Sequence, residues 1–118
     1  MTIHREVQGD VQVLRLAGRI TIEDADDLDA YLADVVASGP RKVVVDCAGI
    51  EHIVSAIVGS FLGLREKLRA QAGDAALADC SVSMRRIAHQ MDLRRFFVFH
   101  ADVATATRAL GAVTTNGR

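Results

Sequence analysis

The run Lys42-Val43-Val44-Val45-Asp46 constrains the fold more than any other stretch of this chain. Three consecutive β-branched residues between charges read as a short strand buried on both faces, as in a parallel sheet flanked by helices. The sequence on either side has the helical period. Over residues 23–37, Ala25, Leu28, Tyr31, Leu32, Val35 and Val36 recur at three- and four-residue steps. Asp24, Asp26, Asp27 and Asp29 load the first turns, where the helix dipole favours negative charge, and Ser38-Gly39-Pro40 is the stop signal. A second helix is predicted over residues 56–72, with Ile57, Phe61, Leu64 and Leu68 on one face and Arg65, Glu66, Lys67 and Arg69 outside. Gly59 and Gly63 each weaken that helix by about 1 kcal/mol relative to alanine, and are expected to admit the close approach of a neighbouring backbone.

Ahead of these elements, residues 2–7 and the alternating segment Val11-Gln12-Val13-Leu14-Arg15-Leu16 form an antiparallel hairpin through Gly9-Asp10. Beyond the central strand, residues 47–54 read as a connection containing Gly49. Ala75-Ala76-Leu77-Ala78 reads as a strand by its place between two helices, against the low strand propensity of alanine. Ser83 is expected to cap a helix with Met84, Ile87, Ala88 and Met91 inward, and residues 96–99 to form a last strand. Asp102 opens a terminal helix carrying Val103, Ala106 and Leu110. Residues 1–110 then make one α/β domain, a mixed, mostly parallel sheet with an N-terminal hairpin and about four helices. Residues 111–118 are expected to be a frayed, flexible tail.

A chain of 118 residues has room for one core. A net charge of -1, the absence of Trp and an aromatic content of 4% argue against a nucleic-acid surface. The opening Met1-Thr2-Ile3-His4-Arg5-Glu6 has no basic segment leading into an apolar run, and no apolar run is long enough to span a bilayer. A cytoplasmic location without membrane insertion is therefore expected. Cys47 and Cys80 form no CxxC and are read as reduced thiols, although both follow predicted strands and can meet at one sheet edge. Cys47, His52, Cys80 and His100 lack the paired spacing of a zinc site, so no metal or other cofactor is expected. His52 near Ser55 lacks an orienting acid and an oxyanion site, so no enzymatic activity is expected either. Arg85, Arg86, Arg94 and Arg95 read as a solvated face.

The segment Arg41-Lys42-Val43-Val44-Val45-Asp46-Cys47-Ala48-Gly49-Ile50-Glu51-His52-Ile53-Val54-Ser55-Ala56 resembles the signature region of STAS domains. There an apolar strand runs into Asp-Leu-Ser-Gly, then an apolar stretch, then Asp-Ser-Ser-Gly at a helix start. Asp46, Gly49, Ile53 and Ser55 match this pattern, and Gly18-Arg19-Ile20 matches the segment before the first helix. Ser83-Met84-Arg85-Arg86-Ile87 leading to Asp92-Leu93-Arg94-Arg95-Phe96 is similar to the family's third helix and the strand after it. Val54 stands where the family has an acid before the acceptor, Ile57 where it has the glycine, and Thr21 where an acid is common.

The resemblance implies an anti-sigma-factor antagonist, a small signalling module in partner switching and transcription regulation. Such a module binds an anti-sigma factor with serine-kinase activity, is released by phosphorylation and is restored by a phosphatase. The acceptor would be Ser55, and the contact surface Thr21, Ile53, Val54, Ser55, Ala56 and Ile57, with Gly59 and Ser60 at its margin. Apolar Ile53, Val54, Ile57 and Val58 would form the patch a partner covers, and a phosphoryl group carrying about −1.5 to −2 charge would oppose that packing. The plainer alternative is that Ser55 only caps a helix. An accessory subunit that binds the ATPase of a lipid-transport complex, and a phosphorylation-independent signalling scaffold, are the other two readings. Homodimerisation stays open.

Overall fold

A computed structural model describes the backbone of residues 1–115 and the side chains of residues 1–111. Strand β1 (Thr2–Gln8) turns through Gly9, in the left-handed region at φ 64°, into β2 (Val11–Ile20). Then come α1 (Ala25–Ala37), β3 (Lys42–Ile53), α2 (Ser55–Arg69), β4 (Asp74–Ala78), α3 (Val82–Gln90), β5 (Phe99–His100) and α4 (Val103–Thr115). Among the described residues the strands lie in the order β1-β2-β3-β4-β5, with β1 antiparallel to β2 and every later pairing parallel. The expected alternation of strands and helices holds throughout.

The sheet is covered on both faces. Helices α1, α2 and α3 bring Leu28, Leu32, Val35, Ile57, Phe61, Leu64, Leu68, Met84 and Ala88 onto Leu14, Leu16, Val43, Val45 and Leu77. On the other face α4 lays Ala106 and Leu110 over Val11, Val13, Val44, Ala76 and Ala78. Residues Ala75–Ala78 are thus a strand because both sides of it are buried, which outweighs the weak intrinsic preference of alanine.

Several local expectations are corrected. Residues 47–53 are not a connection: β3 continues through them to Ile53. Helix α1 is preceded by a 3-10 turn over Ile22–Asp24. The cap of α3 is Ser81, whose Oγ accepts the Met84 N–H at 3.2 Å, whereas Ser83 Oγ donates to the Glu51 carbonyl at 2.7 Å. Met91 lies past the end of α3 and is exposed. The last strand is only Phe99–His100, because Asp92 enters the left-handed region at φ 52° and Leu93–Arg95 coil into a 3-10 turn. Gln12, which reads as the polar side of an alternating strand, is fully buried. Helix α4 continues to Thr115, so residues 111–115 of the expected tail are helical and residues 116–118 lie outside the described residues.

Among the described residues no helix is long and apolar enough to cross a membrane. Nor do any three His, Cys, Asp or Glu side chains there come together in a group that could hold a metal ion.

Candidate functional site

The site is built by the way β3 runs beside β2. Ten residues of β2 face twelve of β3, and the register slips between Arg15 and Ala17 and again between Gly18 and Arg19. Each slip is a bulge that leaves one extra residue on β3 and bends it. The buried positions after the central run are consequently Cys47, Ile50 and Ile53, spaced by three instead of two. The signature residues do structural work at the first slip. Asp46 Oδ1 accepts the Ala48 N–H at 3.1 Å, and its Oδ2 lies 3.4 Å from Arg15 Nε. A Cβ on Gly49 would stand 2.9 Å from Ala17 Cβ and 3.2 Å from the Leu16 carbonyl oxygen, so a bare backbone is needed where the strands cross.

From Ile53 the chain passes into α2 in one residue. The Val54 N–H donates to the Ile20 carbonyl at 3.2 Å, pinning the turn to the end of β2, and the Ile57 N–H donates to the Val54 carbonyl at 3.0 Å. Val54 is the N-cap, in extended conformation, and its side chain has no oxygen with which to cap. Ser55 is the first helical residue and is exposed. Among the described residues its hydroxyl makes no hydrogen bond within the chain, so the helix-capping reading of Ser55 does not hold.

This difference is measurable. Ser55→Ala is expected to change stability by less than about 0.5 kcal/mol, as for a surface change that breaks no contact. Ser81→Ala removes a true cap and is expected to cost about 1 kcal/mol. Urea unfolding of both variants checks this; a larger loss at Ser55 than at Ser81 contradicts it.

The other predicted contact residues divide in two. Ile53 (6% exposed) and Ile57 (fully buried) point into the domain's own core, as does Val58, so they cannot form the greasy patch expected of them. Ile57 lies on the same helical face as Phe61, Leu64 and Leu68, and that face is the inner one. Ala56 and Gly59 are exposed, while Thr21, Val54 and Ser60 are half-buried. The apolar residue actually presented beside Thr21 is Ile22, 58% exposed, which no motif picks out.

Thr21 is also flanked by two acids of the turn that follows it. Its backbone N–H donates to Asp24 Oδ2 at 2.8 Å and its hydroxyl to Glu23 Oε2 at 3.3 Å, so two carboxylates flank the position where the family's acid is absent. The first turn of α2 has no acidic residue, which leaves the positive end of its dipole uncompensated beside Ser55. Gly59 and Gly63 make no close backbone approach: a Cβ on either would meet open space. They instead open a groove of about 380 Å³ between α1 and α2, lined by Asp29 and Val36 on one side and by Ala56, Ser60 and Lys67 on the other.

The STAS domain model matches residues 2–106 of the chain. The chain belongs to the STAS domain family. Among solved structures, this STAS domain is similar to an anti-sigma factor antagonist from Mycobacterium paratuberculosis, at 25% identity and a TM-score of 0.83, covering 92% of each chain. It is also similar to the anti-sigma factor antagonist SpoIIAA in its unphosphorylated form, at 20% identity and a TM-score of 0.78 over 93% of this chain and 97% of that one. The phosphorylated form of SpoIIAA, described as a Bacillus cell fate determinant, matches at 20% identity and a TM-score of 0.69 over 92% of this chain and 99% of that one. A search of curated proteins found no match.

Proposed function

We propose that this STAS domain is a regulatory protein-binding module without enzymatic activity of its own, an anti-sigma-factor antagonist that docks to an anti-sigma factor with serine-kinase activity. Phosphorylation of Ser55 releases it and a phosphatase restores it. The observation that carries this reading is the Ser55 hydroxyl, which sits on an exposed residue at the first position of α2 and makes no hydrogen bond among the described residues. The docking surface comprises Thr21, Val54, Ser55 and Ala56 and continues into the groove past Gly59 and Ser60, with Ile22 as its apolar contact. Ile53 and Ile57 contribute from beneath by fixing the turn.

The switch is electrostatic. A phosphate at Ser55 meets the unbonded N–H groups and positive dipole of α2, so the free domain tolerates it without changing fold. A partner closing over the same corner must take the phosphate out of water, with the Glu23 and Asp24 carboxylates close to Thr21 adding like charge.

The test is a pull-down from the source cells with wild-type, Ser55→Ala and Ser55→Glu proteins. The kinase is expected with the first two, and the glutamate variant to bind at least about tenfold more weakly, a loss of about 1.4 kcal/mol. Equal capture by all three overturns the switch. Recovery of a membrane ATPase as the main partner overturns the antagonist reading.

A further inference from the structure

The two cysteines, far apart in sequence, converge at the β3–β4 pair, on the sheet face that α1, α2 and α3 cover. The register Asp46↔Ala78 sets Cys47 beside the exit of β4, and the Ser81 N–H donates to the Cys47 carbonyl at 3.3 Å, which fixes the neighbouring Cys80 against it. The Cys47 side chain is fully buried, its sulfur donates to the Val45 carbonyl at 3.6 Å, and it belongs to the core cluster against which Cys80 packs. Cys80 is half-buried and opens onto a cavity of about 300 Å³ that Asp79, Arg85, Arg94, Phe99 and His100 also line. The Arg94 Cζ lies over the Phe99 ring, 5.0 Å from its centroid, and among the described residues neither Arg85 nor Arg94 has a carboxylate partner in an ion pair.

We propose that Cys80 is a peroxide-reactive thiol and Cys47 its resolving partner, so that oxidation closes a disulfide between β3 and the β4–α3 connection. This site is separate from the Ser55 corner and stands whether or not Ser55 is phosphorylated.

The arrangement supplies what each step needs. A thiolate is the reactive form of cysteine, and cationic neighbours favour it. The Cys80 thiol is lowered from its ordinary value, first by the hydrogen bond from Cys47 and then by Arg85 and Arg94, against opposition from burial and Asp79. The Cys47 thiol is pushed well up by its hydrogen bond to Cys80, by burial and by Asp46 and Asp79, so in the reduced pair it is the protonated partner and not the thiol that meets peroxide. In the first step the Cys80 thiolate attacks one oxygen of hydrogen peroxide. The S–O bond forms, the O–O bond breaks, and hydroxide leaves to become water on taking up a proton. Sulfur is thereby oxidised by two electrons to the sulfenic acid. The departing hydroxide is anionic, and the two guanidiniums line the cavity in which it forms. In the second step the Cys47 sulfur attacks the sulfenic sulfur. The S–O bond breaks, the thiol proton leaves with hydroxide as water, and the disulfide remains until a dithiol reduces it. In a reducing compartment such a disulfide is a transient, regulatory one.

The experiment exposes the reduced full-length chain to hydrogen peroxide, denatures it in N-ethylmaleimide and reads intact mass and peptide maps. Wild type is expected to lose two hydrogens and both maleimide adducts, and to recover both adducts after dithiothreitol. Added oxygen on Met1, Met84 or Met91 is separated from this by the peptide map. Cys47→Ala is expected to accumulate a dimedone-reactive sulfenic acid on Cys80, and Cys80→Ser to keep its remaining thiol. Arg85 and Arg94 are exposed, so Arg85→Ala/Arg94→Ala retains the fold and is expected to slow Cys80 oxidation about tenfold. Retention of both adducts by wild type at a dose that oxidises free cysteine overturns the proposal. So does loss of the Cys47 thiol in Cys80→Ser at the wild-type rate, an unchanged rate in the double arginine variant, or a disulfide found only between two chains.

Discussion

Gly73→Ala is expected to destabilise the domain by at least about 4 kcal/mol, in the range reserved for changes that the backbone cannot absorb. A Cβ at this position would stand 1.9 Å from the Arg41 carbonyl oxygen and 2.8 Å from its carbon. The obstacle is main chain, not a side-chain tip that can swing away. To make room, β4 would have to part from β3 where they first meet, breaking the Asp74 N–H to Arg41 carbonyl bond of 3.1 Å and the pairing of Lys42 with Asp74. The turn explains why the glycine sits there. Helix α2 closes with the Ala72 N–H on the Arg69 carbonyl (3.1 Å) and the Gly73 N–H on the Leu68 carbonyl (2.8 Å). The left-handed residue of this closure, usually glycine, is Ala72 at φ 64°. Glycine is one residue later because contact with Arg41 is the harder constraint. Ala72→Gly should therefore change stability the other way, by about 0.5–1 kcal/mol, since relief of the left-handed strain exceeds the added chain entropy. Thermal melts of the pair give the answer: a fall of about 20 °C or failure to fold for Gly73→Ala, and a small rise for Ala72→Gly. A Gly73→Ala protein that melts with wild type would show that the contact is loose.

Much of this architecture is legible in the sequence because its signals are periodic. The inner faces of α1 and α2 follow from their three- and four-residue spacing, and the Lys42–Asp46 run announces a strand covered on both sides. Where the period is broken, the sequence misleads. Two bulges turn the alternation of β3 into a three-residue step through Cys47, Ile50 and Ile53, so an extended strand looks like a loop. Ser81 and Ser83 are equally good caps by type, and only the path of the chain out of β4 decides between them. The Ser55 turn is legible by motif, but its exposed surface is not. Strand-end and helix-start apolar residues are alike in sequence whether they face out or in, and here Ile53 and Ile57 serve the core while Ile22 is presented. The cysteine pair is invisible to spacing, since a parallel register across 33 residues joins it.

Gln12 is the clearest case of a polar residue whose role depends on tertiary structure, and it carries the second large prediction. Its side chain, fully buried, bonds outward in three directions. Nε2 donates to the Val35 carbonyl at 3.0 Å and the Pro40 carbonyl at 2.6 Å, and Oε1 accepts from Arg5 Nε at 2.7 Å. Val35 lies in the last turn of α1, where carbonyls have no helical partner, so one amide closes the helix end and ties it to the chain entering β3. Arg5 completes the clasp through Asp34 at 2.9 Å and through the Ser38 carbonyl. Gln12→Leu keeps the volume but leaves the buried Val35 carbonyl and the part-buried Pro40 carbonyl without this donor, at about 1–3 kcal/mol for a buried group and less for a part-buried one. A loss of about 3 kcal/mol is expected, with an unchanged urea m-value because the folded state still buries the same surface. Gln12→Glu should cost more: its carboxylate keeps the Arg5 contact yet sets negative charge against both carbonyls in a buried site. Urea titrations rank the three proteins. Leucine within about 0.5 kcal/mol of wild type, or glutamate above leucine, would mean that α1 is held at this end by apolar packing and that the glutamine is incidental.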